Sequence, residues 1–242
     1  MDNNEKLDTG GVSVAKSKVL TRLDNFWYHY KWHTLIAVFL IFTITICGVQ
    51  MCQKDSYDMH ILYAGGHSYS RSSENGDYPE YTKAKNTLRS FVSDFDDNGK
   101  VEFSLRDLFI PDQEDMKGMS ESKLQLAYAD RESMKTLAVS GDYYLMFISA
   151  EVYNGYMREE ALVNLSEFAK EIDGVRYYND KPYAIYLDSL AFSSLAGFSD
   201  LPSDTLVALR STVGSNHLNQ SSNKKAYERA EATLIKILNF GK

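Results

Sequence analysis

Tyr143-Tyr-Leu-Met-Phe-Ile148 is six apolar or aromatic residues in succession, preceded by the turn-forming Gly141-Asp142 and closed by Ser149. A strand covered on one face alternates apolar and polar residues; one without alternation is covered on both, as at the centre of a parallel sheet. Upstream, Met59-His-Ile-Leu-Tyr63 reads as a buried strand ending at Gly65-Gly66. Tyr81, Ala84, Leu88, Val92 and Phe95 then recur at helical spacing behind Pro79, which completes a first βα unit. Val101, Phe103 and Leu105 alternate with Glu102, Ser104 and Arg106 and lead into Leu108-Phe-Ile110, a second strand. Ser120 can cap a helix from about Glu121 to Val139 that Gly141 terminates, and a short helix near 150–157 follows the central strand.

Downstream, Gly174-Val-Arg-Tyr-Tyr178 and Pro182-Tyr-Ala-Ile-Tyr-Leu187 flank Asn179-Asp-Lys181 and read as a hairpin, which makes the sheet mixed. Tyr227, Ala230, Leu234 and Leu238 share one face of a helix starting near Asn223, with Gly241 beyond its end. The sum is a three-layer α/β domain with a mostly parallel, mixed sheet. Ser68–Asp77 and Ser215–Asn223 are the linker-like stretches.

A membrane anchor precedes that domain. Thr34 to Met51 carries no charge over 18 residues, about 27 Å of helix and close to the hydrocarbon thickness of a bilayer. Trp27, Tyr28, Tyr30 and Trp32 beside it suit the interface. Lys16, Lys18, Arg22 and Lys31 precede the span while Lys54 alone follows closely, so residues 1–32 are expected in the cytoplasm, 33–51 in the membrane and 52–242 outside the cell. Val49-Gln-Met-Cys52 lacks the small residues of a processing site, which favours an uncleaved signal anchor over a cleaved signal peptide. Ser17 to Asn25 reads either as a helix lying on the membrane or as a continuation of the span. No small-xxx-small pattern surrounds Gly48.

The chain of 242 residues carries 26 Lys+Arg against 33 Asp+Glu, and without residues 1–52 the exterior part stands near −8. Binding a polyanion needs the opposite balance, so nucleic acid is not an expected partner. Both cysteines, Cys47 and Cys52, belong to the anchor; an exterior domain free of cysteine fits a bacterial cell surface better than an animal one. The sequons at Asn164 and Asn219 are chance matches in that setting.

The run Ser140-Gly-Asp-Tyr-Tyr-Leu-Met-Phe-Ile-Ser-Ala-Glu-Val-Tyr153, followed by Leu162-Val-Asn-Leu165 and by Asp180-Lys-Pro-Tyr-Ala-Ile-Tyr-Leu187, resembles one lobe of the bacterial extracellular solute-binding proteins of the two-lobed, type II periplasmic class. The resemblance spans about 50 residues and implies an exported α/β lobe that binds rather than catalyses. The exterior part has the length of one such lobe, not of a two-lobed clamshell. It contains 15 of the 17 tyrosines and neither tryptophan. No ligand residue of that family carries over by position.

Among sites with chemistry, Asp94-Phe-Asp96-Asp-Asn98-Gly99-Lys100-Val101 has the first half of an EF-hand-type loop. Alternating oxygens at Asp94, Asp96 and Asn98 converge on one Ca²⁺, Gly99 permits the sharp turn, and the Lys100 carbonyl supplies the next ligand. The acid expected at loop position 12 is replaced by Leu105, so binding needs either a carboxylate from elsewhere, with Glu102 and Asp107 as candidates, or additional waters; otherwise the segment is an Asx-rich turn. Gly65-Gly66-His67-Ser68 lies where α/β sheets place ligands and its small residues could expose backbone donors, although a plain flexible turn is the simpler reading. His60, His67 and His217 have no metal-ligand spacing. Ser120-Glu-Ser-Lys123 has the form of a serine nucleophile with its lysine, but the motifs that accompany it are missing. Glu159 and Glu160, as neighbours, diverge on a helix. The expected role is a membrane-anchored, non-catalytic binding or assembly protein that takes a membrane or cell-surface protein or a small molecule; the alternative is a cell-surface hydrolase.

Overall fold

A computed structural model describes residues 18–52, 57–69, 78–140, 143–212 and 220–242. Residues 1–17, most of the first linker-like stretch (70–77), Gly141, and 213–219 with His217 and Asn219 lie outside the described residues. The chain divides into two compact units, Met1–Asp55 and Ser56–Lys242.

In the first unit, α1 (Lys18–Cys52) is one helix of 35 residues, so the segment before the apolar run continues it. Tyr30–Gly48, 19 residues with mean hydropathy 1.6 and none buried, is long and apolar enough to cross a membrane. Two of its three threonines turn their hydroxyls back onto the helix: Thr43 donates to the Phe39 carbonyl at 2.9 Å and Thr45 to that of Ile41 at 2.8 Å. A hydroxyl facing hydrocarbon needs such a partner.

The second unit contains β1 (Met59–Gly65), α2 (Pro79–Arg89), β2 (Phe103–Phe109), α3 (Glu121–Ser140), β3 (Leu145–Ser149), α4 (Ala150–Tyr156), α5 (Ser166–Ala169), β4 (Ala184–Tyr186), β5 (Thr205–Leu209) and α6 (Gln220–Leu238). The strands form one mixed sheet in the order β2-β1-β3-β5-β4. β1 pairs in parallel with β2 and with β3, Ile61 lying opposite both Leu105 and Leu145. β5 is antiparallel to its neighbours β3 and β4, so it alone is reversed. Parallel neighbours need crossovers, and the helices of those crossovers cover the sheet. Ile61, Tyr63, Leu105, Phe147 and Val207 pack with Leu88 of α2 and Leu234 of α6. Leu62, Ala64, Leu108, Met146 and Leu206 pack with Met134 of α3 and Val152 of α4. Every residue of β3 is buried, as its unbroken apolar run predicts.

Three expectations change. The predicted hairpin shrinks to one bridge, Tyr177 to Ile185. Asn179 and Asp180 turn at φ 52° and 56°, and Tyr178 drops its ring between Tyr153 and Tyr186, with centroids 5.0 and 5.8 Å away. β4 pairs instead with β5, the fully buried run Thr205-Leu-Val-Ala-Leu209 that the sequence reading left unassigned. Helix α2 stops at Arg89 instead of continuing toward Phe95, because Phe91 turns inward against Phe192 and Phe240, at 5.0 and 5.6 Å. Helix α6 starts at Gln220, three residues before the predicted Asn223.

Helix α2 lies directly on the loop before residue 200. A Cβ on Gly197 would stand 2.4 Å from the Ala84 nitrogen, and Gly197 has φ +83°. Thr87 donates to the Ala196 carbonyl at 2.8 Å and Tyr69 to that of Gly197 at 2.5 Å. Gly197→Ala therefore combines left-handed strain with a backbone clash and should cost about 3 kcal/mol or more. Gly174→Ala, at φ +76° with open space around it, should cost only about 1 kcal/mol. Urea unfolding of both variants checks the contrast; equal losses would show that α2 does not rest on Gly197.

Candidate functional site

From β1 the chain passes through α2 to β2 on one side, and β3 lies on the other side of β1. The ends of β1 and β3 therefore flank the point where sheets of this kind accept ligands. Gly65-Gly66-His67-Ser68 forms one wall and Ser149, whose hydroxyl accepts the Val152 N–H at 3.3 Å and caps α4, begins the other. The gap is filled from within. The Tyr63 hydroxyl stands 2.9 Å from where a Gly65 Cβ would be, and it accepts the His67 N–H at 3.3 Å. Tyr69 packs edge-on against Tyr63 and His67, both at 5.0 Å, and is 1% exposed.

Around this plug, His67 Nε2 faces Glu80 at 3.3 Å, and Ser68 donates to Asp107 at 3.4 Å. Burial pushes both phenols well above the ordinary tyrosine value; Asp107 and Asp204 reinforce this at Tyr63, and Tyr63, Asp107, Glu80 and Asp200 at Tyr69. Neutral, hydrogen-bonded phenols do not serve as bases. The Ser68 hydroxyl is committed to Asp107 and the imidazole to Glu80, so serine and histidine are not joined as nucleophile and base. Alongside, Arg131 of α3 donates to the Pro111 carbonyl at 2.5 Å and to Glu151 at 2.8 Å, clamping α3 to the exit of β2 and the start of α4.

The opposite end of β1 holds the Asx-rich turn. Asp94 accepts the N–H groups of Asn98 and Gly99 at 3.2 and 2.7 Å, Asp96 accepts that of Asn98 at 3.2 Å, and Asn98 accepts that of Lys100 at 2.8 Å. Asp97 and Gly99 supply the left-handed backbone, at φ 55° and 80°. The added carboxylate is Asp58, which the sequence reading missed. Asp58 is 2% exposed and accepts the N–H groups of Phe95 at 2.8 Å and Glu102 at 2.9 Å. One oxygen each from Asp58, Asp94 and Asp96 lie within 4.8 Å of one another, a hard-oxygen set that could hold a metal ion. Asp107 does not contribute, since it pairs with Tyr63 near the far end of β2. Leu105 is buried in that strand, and Glu102 contributes its peptide group to Asp58.

Desolvation opposes its charge, yet the Gly99 and Asn98 N–H groups hold the Asp94 carboxyl below its ordinary value.

The remaining candidates stay apart. His60, at the start of β1, packs against Tyr57 and Tyr143 at 5.6 and 5.9 Å, with most of the strand between it and His67. The Ser120 hydroxyl meets that of Ser122 at 3.2 Å while its carbonyl accepts the Leu124 N–H at 3.0 Å, which places it at the start of α3. Glu159 pairs with Lys181 at 2.7 Å, away from Glu160. The chain matches no protein-family model, no curated protein and no solved structure.

Asp58→Ala leaves two backbone N–H groups buried without their acceptor and should cost about 2 to 4 kcal/mol in urea unfolding; a loss below about 1 kcal/mol would contradict the tie. For Asp94 the folded pKa is lowered. Its stabilisation is therefore complete above the unfolded carboxylate value and disappears as pH falls through the depressed one. Melting temperature measured between about pH 5 and 2 should fall less steeply in Asp94→Asn than in the parent chain.

Proposed function

We propose that the chain is a single-pass protein of the bacterial cell membrane, with its N-terminus in the cytoplasm, whose exterior α/β domain is a non-catalytic binding or assembly module. The observation that carries this reading is the plugged crevice: Tyr63 and Tyr69 occupy the place where a sheet of this order would take a ligand, in a chain that also has a helix able to cross a membrane. Partners then meet the domain at its outer surface, and a membrane or cell-surface protein fits better than a solute enclosed in the crevice. The domain is read as one lobe of the solute-binding type. Support comes from residues 140–153, where β3 runs at once into α4, and from Ala184–Tyr186, which forms β4. Asp94, Asp96 and Asn98 with Asp58 would hold a hard cation such as Ca²⁺, which would tie the turn before β2 to the start of β1. That role is structural.

Protease added outside intact cells should remove residues beyond the anchor and spare an N-terminal tag; the reverse pattern overturns the orientation. Leu40→Arg places a charge mid-span at about 3 kcal/mol and should release chain from the alkali-resistant membrane fraction. The full chain in neutral detergent should turn over no peptide, ester or glycan substrate. Turnover that disappears with His67→Ala or Glu80→Ala would sink the non-catalytic reading. Millimolar Ca²⁺ should raise the melting temperature of the parent chain and not of Asp94→Asn; an equal shift in both would remove the metal from the proposal.

A further inference from the structure

A half-open cavity of about 630 Å³ lies beside the second half of α3 and the end of α4. Its lining sets apolar Ala138, Met157 and Leu162 beside Lys135, Arg158 and Arg210. The three cations come from separate parts of the chain: α3, the residues after α4, and the residue after β5. No carboxylate belongs to the described lining, in an exterior region with an excess of acids. The volume falls in the range of small-molecule sites, in which an apolar wall supplies affinity and a few polar groups fix orientation.

Part of the lining is fixed in advance. Arg210 donates to the Leu137 and Ala138 carbonyls at 3.2 and 2.6 Å, which holds its guanidinium at the C-terminus of α3. Tyr156 also interacts with Arg131; although partly desolvated, that guanidinium is held above its ordinary pKa by Glu151 and Tyr156. The other two cations remain available. Lys135 pairs with Glu132 at 2.5 Å, but both side chains are more than half exposed, so the pair exchanges readily with another anion. Among the described residues Arg158 makes no ion pair, and its neighbour Glu159 is taken by Lys181. Gathering positive charge in one concavity of mixed polar and apolar lining is unfavourable by itself, and an oxyanion seated there relieves it.

We propose that this cavity binds a small organic oxyanion, a carboxylate or phosphate on an apolar body, with Arg158 and Lys135 taking the charged group and Met157 and Leu162 the apolar part. The cavity shares no residue with the tyrosine plug, so its occupancy can be tested without reference to the partner-binding reading.

Full-length protein in neutral detergent is titrated with phenyl phosphate, benzoate, inorganic phosphate and benzyl alcohol by calorimetry. At least one aromatic anion should bind, more tightly than either inorganic phosphate or benzyl alcohol, with an affinity that falls as salt rises. A preference for phenyl phosphate or for benzoate assigns the oxyanion. Arg158→Gln and Lys135→Gln should each weaken binding about fivefold, the loss of one partly exposed ion contact, without moving the melting temperature. Benzyl alcohol binding as well as the anions, inorganic phosphate binding as well as phenyl phosphate, or undiminished affinity in both variants would overturn the assignment.

Discussion

The α/β unit is organised around β1, which is hydrogen-bonded in parallel on both edges and, His60 apart, buried on both faces. Parallel pairing cannot be closed by a tight turn. Each of its neighbours must be reached by a crossover, and the helices of those crossovers become the layers on either side. With β1 between β2 and β3, α2 packs on one face and α3 on the other. The same choice fixes both ends of the strand. Its start must satisfy donors that the ladder leaves open, which Asp58 does, and its end opens a gap between diverging connections, which Tyr63 and Tyr69 fill.

These two ends differ in what they can do. At the start, the buried Asp58 carboxylate accepts two N–H groups from the segment leading into β2, while Arg229 donates to the Asp58 backbone carbonyl at 2.8 Å. Helix α6 is thereby tied to the first strand by a charge-assisted bond as well as by Leu234. At the other end, each tyrosine buries an aromatic ring and still satisfies its hydroxyl, Tyr69 by donating to Gly197 and Tyr63 by accepting from His67. Opening that end to admit a ligand would expose two rings and break both hydrogen bonds. A ligand therefore meets less resistance at a groove that is already open.

Local pattern explains which parts of this arrangement were legible in the sequence. β1, β2, β3 and the helices between them were readable because period and length are properties of short segments; Leu145–Ser149 is buried throughout, as its lack of alternation required. β5 was missed although Thr205-Leu-Val-Ala-Leu209 is equally apolar. Eighteen residues, with short 3-10 turns among them, separate it from its partner β4, and a turn-rich group at Asn179 offered a nearer hairpin. The Asx turn was legible because Asp94, Asp96, Asn98 and Gly99 act within one turn. Asp58 was not, since nothing in an acid before a strand announces that it will be buried 36 residues from its partner turn. The tyrosine plug was hidden for a related reason: Tyr63 reads as a core strand residue whether or not its hydroxyl closes the strand's own exit.

A membrane anchor of the kind proposed would change how strong the domain's contacts must be. Confinement to a membrane replaces a three-dimensional search by encounters at high effective concentration, so a tethered module can act through contacts too weak for a freely diffusing protein. Tyr30–Gly48 has none of its apolar length buried, whereas the α/β unit buries most of its large apolar side chains in a chain with more acids than bases. An excess of acids discourages indiscriminate attachment to anionic surfaces. Against that background the cavity beside α3 and α4 sets Lys135, Arg158 and Arg210 together with no carboxylate in its described lining. Selectivity then follows from contrast: a repelling surface with one receptive groove discriminates through the mismatch everywhere else as much as through the match.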